Sequence, residues 1–245
     1  INTQGEDGKR ITNFLQPSEN STLTITEFDD YQYHEIDNVN IAKLGRRWFG
    51  EQFNIVNEQS FEFKIPNIVT TSPVNLKIFA AASSFTSTSF QVSANNSVLG
   101  IFSFPSIGGS VLAFPSQYTT TLSASENIKI TLKYDNKGVP DSKGYLDYIF
   151  LKSKRSLRGY GKQFQFQFDA SESNIGIGEY TISNANNIRQ VWDITDIYNV
   201  SSIENANQDS FSFKSSLGEI KKYIAIDTND LYEPIKESQT SIANQ

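Results

Sequence analysis

Apolar and polar residues alternate over much of this chain. Phe61, Phe63 and Ile65 take every second position up to Pro66, and Val74, Leu76 and Ile78 do so after Pro73. Phe90, Val92 and Ala94 repeat the pattern. So do Ile128, Ile130, Leu132 and Tyr134, with Lys129, Thr131 and Lys133 between them. Phe164, Phe166 and Phe168 alternate with Gln163, Gln165 and Gln167. A period of two puts one set of side chains on each face of a strand, so each run reads as a half-buried strand. The core expected from this alternation is Phe63, Ile78, Val92, Ile130, Leu132, Leu146, Tyr148, Phe164 and Phe166. No window carries the i, i+3, i+4, i+7 pattern of a long helix. The predicted class is all-β: an antiparallel β-sandwich, jelly-roll-like, with little or no helix.

In chain order, residues 1–21 are polar and read as a loose arm with a short strand around Ile11–Leu15. Thr22–Phe28 alternates as one strand and Tyr31–Ile36 as another. Val98–Phe104 returns from a turn at Asn95-Asn96. Lys143–Phe168 reads as two long strands, the first Tyr145–Leu151, joined by a basic loop of Lys152, Lys154, Arg155, Arg158 and Lys162, with Gly159 and Gly161 as turn formers. The predicted reading of that loop is solvated. Two hairpins follow, 178–183 with 188–194 and 210–214 with 222–226. The sandwich is therefore expected over 22–228, with a split into two subdomains near 152, and residues 229–245 as a linker.

Composition narrows the chemistry. With 18 Phe and 11 Tyr in 245 residues, the chain is too aromatic to be a disordered segment. A net charge of −6 argues against a nucleic-acid partner. There is no Cys, which excludes a disulfide scaffold, a zinc-thiolate site and a cysteine nucleophile within these residues. His34 is the sole histidine, so a multi-histidine metal site cannot form. It reads as a surface or satisfied strand residue, since no G-x-S-x-G motif is present to partner it. No apolar run reaches the length of a membrane span, and no stretch of these residues reads as a signal peptide. The start at Ile1 and the absence of Met suggest a processed protein or a piece of a longer one, and the Asn/Ser/Thr-rich, Cys-free composition leans towards a bacterial exported protein.

Three stretches are candidates for chemistry. Asn40–Phe53 brackets Arg46, Arg47, Trp48 and Phe49 between Gly45 and Gly50, with Glu51 behind. The expectation is a turn with Trp48 mostly buried and Arg46 or Arg47 paired to Glu51, Glu35 or Asp37. The competing reading is a surface patch of Arg46, Arg47 and Trp48 of the kind enriched at interfaces. Asp135 and Asp141, in a loop just before Asp147, make those three carboxylates calcium candidates. An Asx turn is the simpler expectation, leaving no cofactor. Asp193 and Asp196 lie three apart, and turn roles are favoured over a catalytic pair.

LGRRWFGEQF at Leu44–Phe53, GYLDYIFLKSKRSLRGYGKQFQF at Gly144–Phe166 and VWDITD at Val191–Asp196, in this order, resemble a known family. It is the PorU family, the gingipain-like cysteine peptidases (sortases) of the type IX secretion system of Bacteroidetes, in the region upstream of their catalytic domain. The resemblance runs from about Thr22 to the end, and 242–245 looks like the point before a peptidase domain. It implies an exported protein at the outer-membrane cell surface, held by a β-barrel secretion partner. The implied parent removes C-terminal sorting signals from cargo and helps attach cargo to a lipopolysaccharide. The family's Cys nucleophile and its His partner belong to the downstream domain, so no catalytic residue carries over. The segment would then be a non-catalytic accessory module that positions the peptidase or docks it to secretion partners. The alternative is a carbohydrate-binding or adhesin module of a bacterial surface protein, which would need two or more coplanar exposed aromatics over a polar groove.

Overall fold

The computed structural model describes residues 8–43 and 45–233. Leu44, the start of the arm and the linker from residue 234, including 242–245, lie outside them. The chain divides into two compact units, Glu27–Ser156 and a second built from Ile1–Thr26 with Leu157–Gln245. The first is thus inserted in the sequence of the second. Its boundary falls inside the Thr22–Phe28 run: β1 (Thr12–Asn13) and β2 (Leu23–Ile25) belong to the split unit, and β3 (Glu27–Glu35) opens the inserted one.

In the inserted unit, β4 (Gln52–Phe53), β5 (Glu58–Lys64), β6 (Val74–Ser83), β7 (Thr88–Ala94), β8 (Ser97–Phe104), β9 (Phe114–Leu122), β10 (Asn127–Asp135) and β11 (Lys143–Ser156) follow. One sheet runs β3-β11-β6-β9, with β4 beside the start of β11, and the other runs β5-β10-β7-β8. Their ladders are antiparallel. Apart from the β7–β8 hairpin, successive strands from β5 to β11 cross between sheets, a jelly-roll-like arrangement. Leu76, Ile78, Ile149 and Leu151 from one sheet meet Phe90, Val92, Ile130 and Leu132 from the other, all within 1% of full burial. Gly144 is required here: a Cβ on it would lie 2.6 Å from the Phe90 ring.

Two features of β11 differ from the sequence reading. Tyr148 is half-buried and lies outside the core, because a register shift between Leu146 and Tyr148 resets the alternation. Leu146 and Ile149 face inward, while Tyr148 turns to the outer face and stacks on Phe79 at 5.9 Å. The basic run is also largely strand. β11 continues through Lys152, Lys154 and Arg155 because Asp29 and Asp30 on β3 neutralise them. Lys154 Nζ donates to Asp29 Oδ2 at 2.8 Å and Arg155 Nη1 to Asp30 Oδ1 at 3.0 Å, while Arg155 Nε donates to the Pro66 carbonyl at 2.7 Å. Arg155, only 5% exposed, also lies 5.0 Å over the Phe28 ring.

In the split unit, β12 (Phe164–Gln167), a 3₁₀ turn (Asp169–Ser173), β13 (Ile177–Ile182), β14 (Ile188–Asp193), β15 (Ser201–Glu204), β16 (Phe211–Ser216), β17 (Lys222–Asp227) and a second 3₁₀ turn (Thr228–Asp230) complete the chain. Its strands order as β1-β15-β14-β17-β12 and β16-β13-β2. Two of these pairs, β1 with β15 and β2 with β13, are parallel, where the sequence reading expected antiparallel strands throughout. The core is an aromatic cluster. Tyr180 lies parallel to Phe213 at 5.1 Å, and Tyr223 lies 5.2 Å from each of Phe166, Tyr180 and Phe213. The Tyr223 hydroxyl donates to Ser215 Oγ at 2.8 Å, so the buried phenol keeps a partner. Burial raises both phenols' pKa values, that of Tyr180 to about 12.

Phe166 is 2% exposed, and its ring meets Tyr180, Phe213 and Tyr223 of this cluster. Phe166→Ala is expected to destabilise the protein by about 3–5 kcal/mol, read from the denaturation midpoint. An unchanged midpoint would show that the cluster does not hold the unit together.

Candidate functional site

The stretch between β3 and β4 forms a loop on a fixed stem. Val39 and Phe49 exchange backbone hydrogen bonds at 2.8 Å each way, and the Gly50 amide donates to the Leu146 carbonyl at 2.7 Å. Phe49 is buried in a small cluster with Ala81 and Tyr145. Trp48 is not: it is 44% exposed, against the expectation that it is mostly buried. Neighbouring residues of extended backbone point to opposite sides, so anchoring Phe49 through its bridge to Val39 turns Trp48 outward. At the tip, Lys43 and Gly45 have φ of 56° and 84°, the left-handed region that Gly enters without strain. Asn40, Lys43, Gly45 and Trp48 line a shallow depression of about 370 Å³.

Arg47 pairs with a residue outside the expected set. Its Nε lies 3.5 Å from Asp147 Oδ2 and its guanidinium 4.5 Å over the Phe79 ring. Phe79 in turn stacks on Tyr148, and the Lys77 ammonium lies 5.9 Å from the Tyr148 ring. A cation–aromatic series therefore runs from Arg47 across the outer face of β6 and β11. Glu51, the carboxylate expected to pair with an Arg, instead holds His34: the Nε2–Oε1 distance is 2.7 Å. The His34 ring packs 4.6 Å from Phe61, so it is the satisfied strand residue the sequence suggested. Glu51 Oε2 is buried with no hydrogen-bond partner.

The calcium candidates are dispersed among other partners. Asp135 takes the Lys137 ammonium at 2.6 Å and the Lys137 amide, which hold its carboxyl below the usual range. Asp147 faces Arg47, and Asp141 is exposed. Among the described residues no three carboxylate, His or Cys groups converge as a metal site. Asp196 closes an Asx turn, accepting from the Tyr198 amide and the Asn199 side chain, which lower its pKa. Asp193 accepts from the Thr195 amide at 3.0 Å. Sequence reasoning missed the Asp147–Arg47–Phe79 contact, which joins residues distant in the chain and leaves no local signal. A polar depression lined by Asn186, Asn187, Arg189, Asn205 and Thr228 was missed too; Asn205 there is spent on the turn, its Nδ2 bonding the Ala185, Ile188 and Gln208 carbonyls.

No family model matches the chain, and no curated protein is similar to it in sequence. Its fold is similar to that of dimeric latent PorU from Porphyromonas gingivalis, with a TM-score of 0.75 and 14% identity over 89% of this chain. The match covers 22% of PorU, so the chain spans about a fifth of that protein's length. Two carbohydrate-binding modules match about half of the chain. A family 35 module from Clostridium thermocellum does so with a TM-score of 0.33 and 14% identity, covering 52% of this chain and 98% of its own. A CBM36 module in complex with calcium and xylotriose does so with a TM-score of 0.33 and 17% identity, covering 49% and 98%. Among the described residues no helix is long and apolar enough to cross a membrane.

Phe49→Ala is expected to cost about 3–5 kcal/mol. Trp48→Ala should stay within about 0.5 kcal/mol of the parent. Equal losses in chemical denaturation would show that Trp48 also plugs the core. Burial raises the pKa of Asp147, with Glu35 and Asp37 adding and Arg47 opposing. The folded state therefore holds this proton more tightly than the unfolded chain, and the group's contribution falls as pH rises from the unfolded value through the raised one. Asp147→Asn should raise the melting temperature at pH 7, and the gain should vanish below about pH 4. A lower melting temperature at pH 7 would show that the Arg47 pair outweighs burial.

Proposed function

We propose that this chain is a non-catalytic, β-rich accessory module of an exported gingipain-type peptidase of the type IX secretion system. It positions the peptidase domain, or docks it to secretion partners such as an outer-membrane β-barrel. The observation that carries this reading is the likeness to PorU, which extends over 89% of the chain and hence over both units. It is supported by the LGRRWFGEQF, GYLDYIFL and VWDITD stretches and by the absence of any Cys that could serve as nucleophile. Cell-surface placement at the outer membrane belongs to the same proposal.

A carbohydrate-binding module is the second reading, favoured by the exposure of Trp48 beside the depression with Asn40 and Lys43. It is the weaker one. A sugar platform needs at least two exposed, coplanar rings; the stacked pairs Phe79–Tyr148 and Tyr31–Phe150 are both half-buried, and Arg47 lies over Phe79.

Two measurements test the accessory role. The reading frame past Gln245 is expected to encode a peptidase domain with a Cys–His pair. The purified chain alone is expected to cleave no peptide substrate, while the chain extended through that domain does. A stop codon at that point, or cleavage by the isolated chain that a single substitution abolishes, would overturn the reading.

A further inference from the structure

The tip of the β3–β4 loop combines features that its place in the fold does not require. Lys43, Arg46, Arg47 and Trp48 are all exposed within six residues, on a chain whose net charge is −6. Neither Lys43 nor Arg46 has an ion-pair partner among the described residues. Arg47 is steered by Phe79 and Asp147, yet its side chain stays 55% exposed. The stem beneath is fixed by the Val39–Phe49 exchange and by buried Phe49, so the tip is presented on a prepared base rather than on a slack loop. Like charges placed this close repel one another, and of the three cations only Arg47 has an acidic partner among the described residues, Asp147.

We infer that this tip docks an acidic, extended segment of a protein partner. This rests on the reading that the module docks partners, and it names their chemistry. Guanidinium groups match carboxylates in two-pronged hydrogen bonds, which favours Asp- and Glu-bearing chains. An indole half-exposed beside them supplies the apolar contact that interface hot spots use. The depression is too open to enclose a small ligand on most sides, as small-molecule sites do, but an extended chain can lie across it. A membrane surface would call for a broad apolar face, and the described tip offers one large ring.

The test uses the full chain with Trp192→Phe, so that Trp48 is the one remaining indole. The probe is a fluorescein-labelled Glu-rich peptide containing Tyr. Inorganic phosphate, phosphatidylglycerol vesicles and a neutral oligosaccharide are run beside it. The peptide is expected to bind saturably, shift the Trp48 emission and weaken as salt rises. Arg46→Glu combined with Lys43→Glu is expected to reduce affinity at least about tenfold. Trp48→Ala should also reduce it about tenfold although it changes no charge. All variants should melt with the parent, and the charge-reversed one keeps the test decisive should Trp48→Ala prove unstable. Absence of peptide binding, equal binding by the variants, or tighter engagement of vesicles, phosphate or sugar than of peptide would each overturn the inference. Such a failure beside an encoded peptidase domain would remove the loop's role and leave the accessory reading standing. Peptide binding without that domain would do the reverse.

Discussion

The inserted unit depends on keeping one strand satisfied along its whole length. β11 runs from Lys143 to Ser156 between β3 and β6, so its inward side chains lie in the core. Its first half meets that demand with Leu146, Ile149 and Leu151. Its second half carries cations, which a sheet interior tolerates only when they are paired. β3 supplies the pairing: register sets Asp29 opposite Lys154 and Asp30 opposite Ser153, within reach of the neighbouring Arg155. Arg155 is then held three ways, by Asp30, by the Pro66 carbonyl and by the Phe28 ring. Such a buried group adds little net stability compared with an apolar residue of its size, but removing one partner leaves a stranded charge. It therefore fixes the register of β3 against β11 more than it strengthens the sheet.

The other side of β11, its pairing with β6, shapes the outer face. The irregularity at Leu146/Tyr148 moves Tyr148 out of the core and brings it beside Phe79. It also places Asp147 near the base of the β3–β4 loop, where it meets Arg47. A bulge that bends a strand and re-aims a side chain commonly sits beside a working surface. Here the re-aimed groups are the ones that steer Arg47. The split unit follows different physics, a cluster of stacked and tilted rings with one buried phenol satisfied by Ser215.

The fold was legible where local pattern decides structure. β7, β10 and β12 follow their alternation residue by residue, because each has one face on a core. The jelly-roll-like sandwich follows from many such strands without helical windows. Illegible were the features set by contacts across the sequence. Lys152–Arg155 looks like a loop until Asp29 and Asp30 are placed beside it. Nothing near Thr26 announces that one strand-like run is divided between two units. Trp48 was misjudged because burial of a large ring is the general tendency, and the choice between it and Phe49 is made by a single bridge to Val39.

The same asymmetry explains why chemistry was harder to read than architecture. Among the described residues, the titratable groups that the sequence singled out are distributed rather than drawn together. His34 is tied to Glu51, Asp135 to Lys137, Asp196 to its own turn. These three are engaged in keeping a strand or turn in place, while Asp147 meets Arg47 and Asp141 stays exposed. The β3–β4 tip brings together two cations with no ion-pair partner among the described residues and a ring open to solvent, within six positions. Functional residues concentrate on loops held by a rigid scaffold, since a loop can vary without disturbing the core. A fold likeness at 14% identity shows the fold alone, so the tip's partner has to be argued from its own charges and its exposed indole.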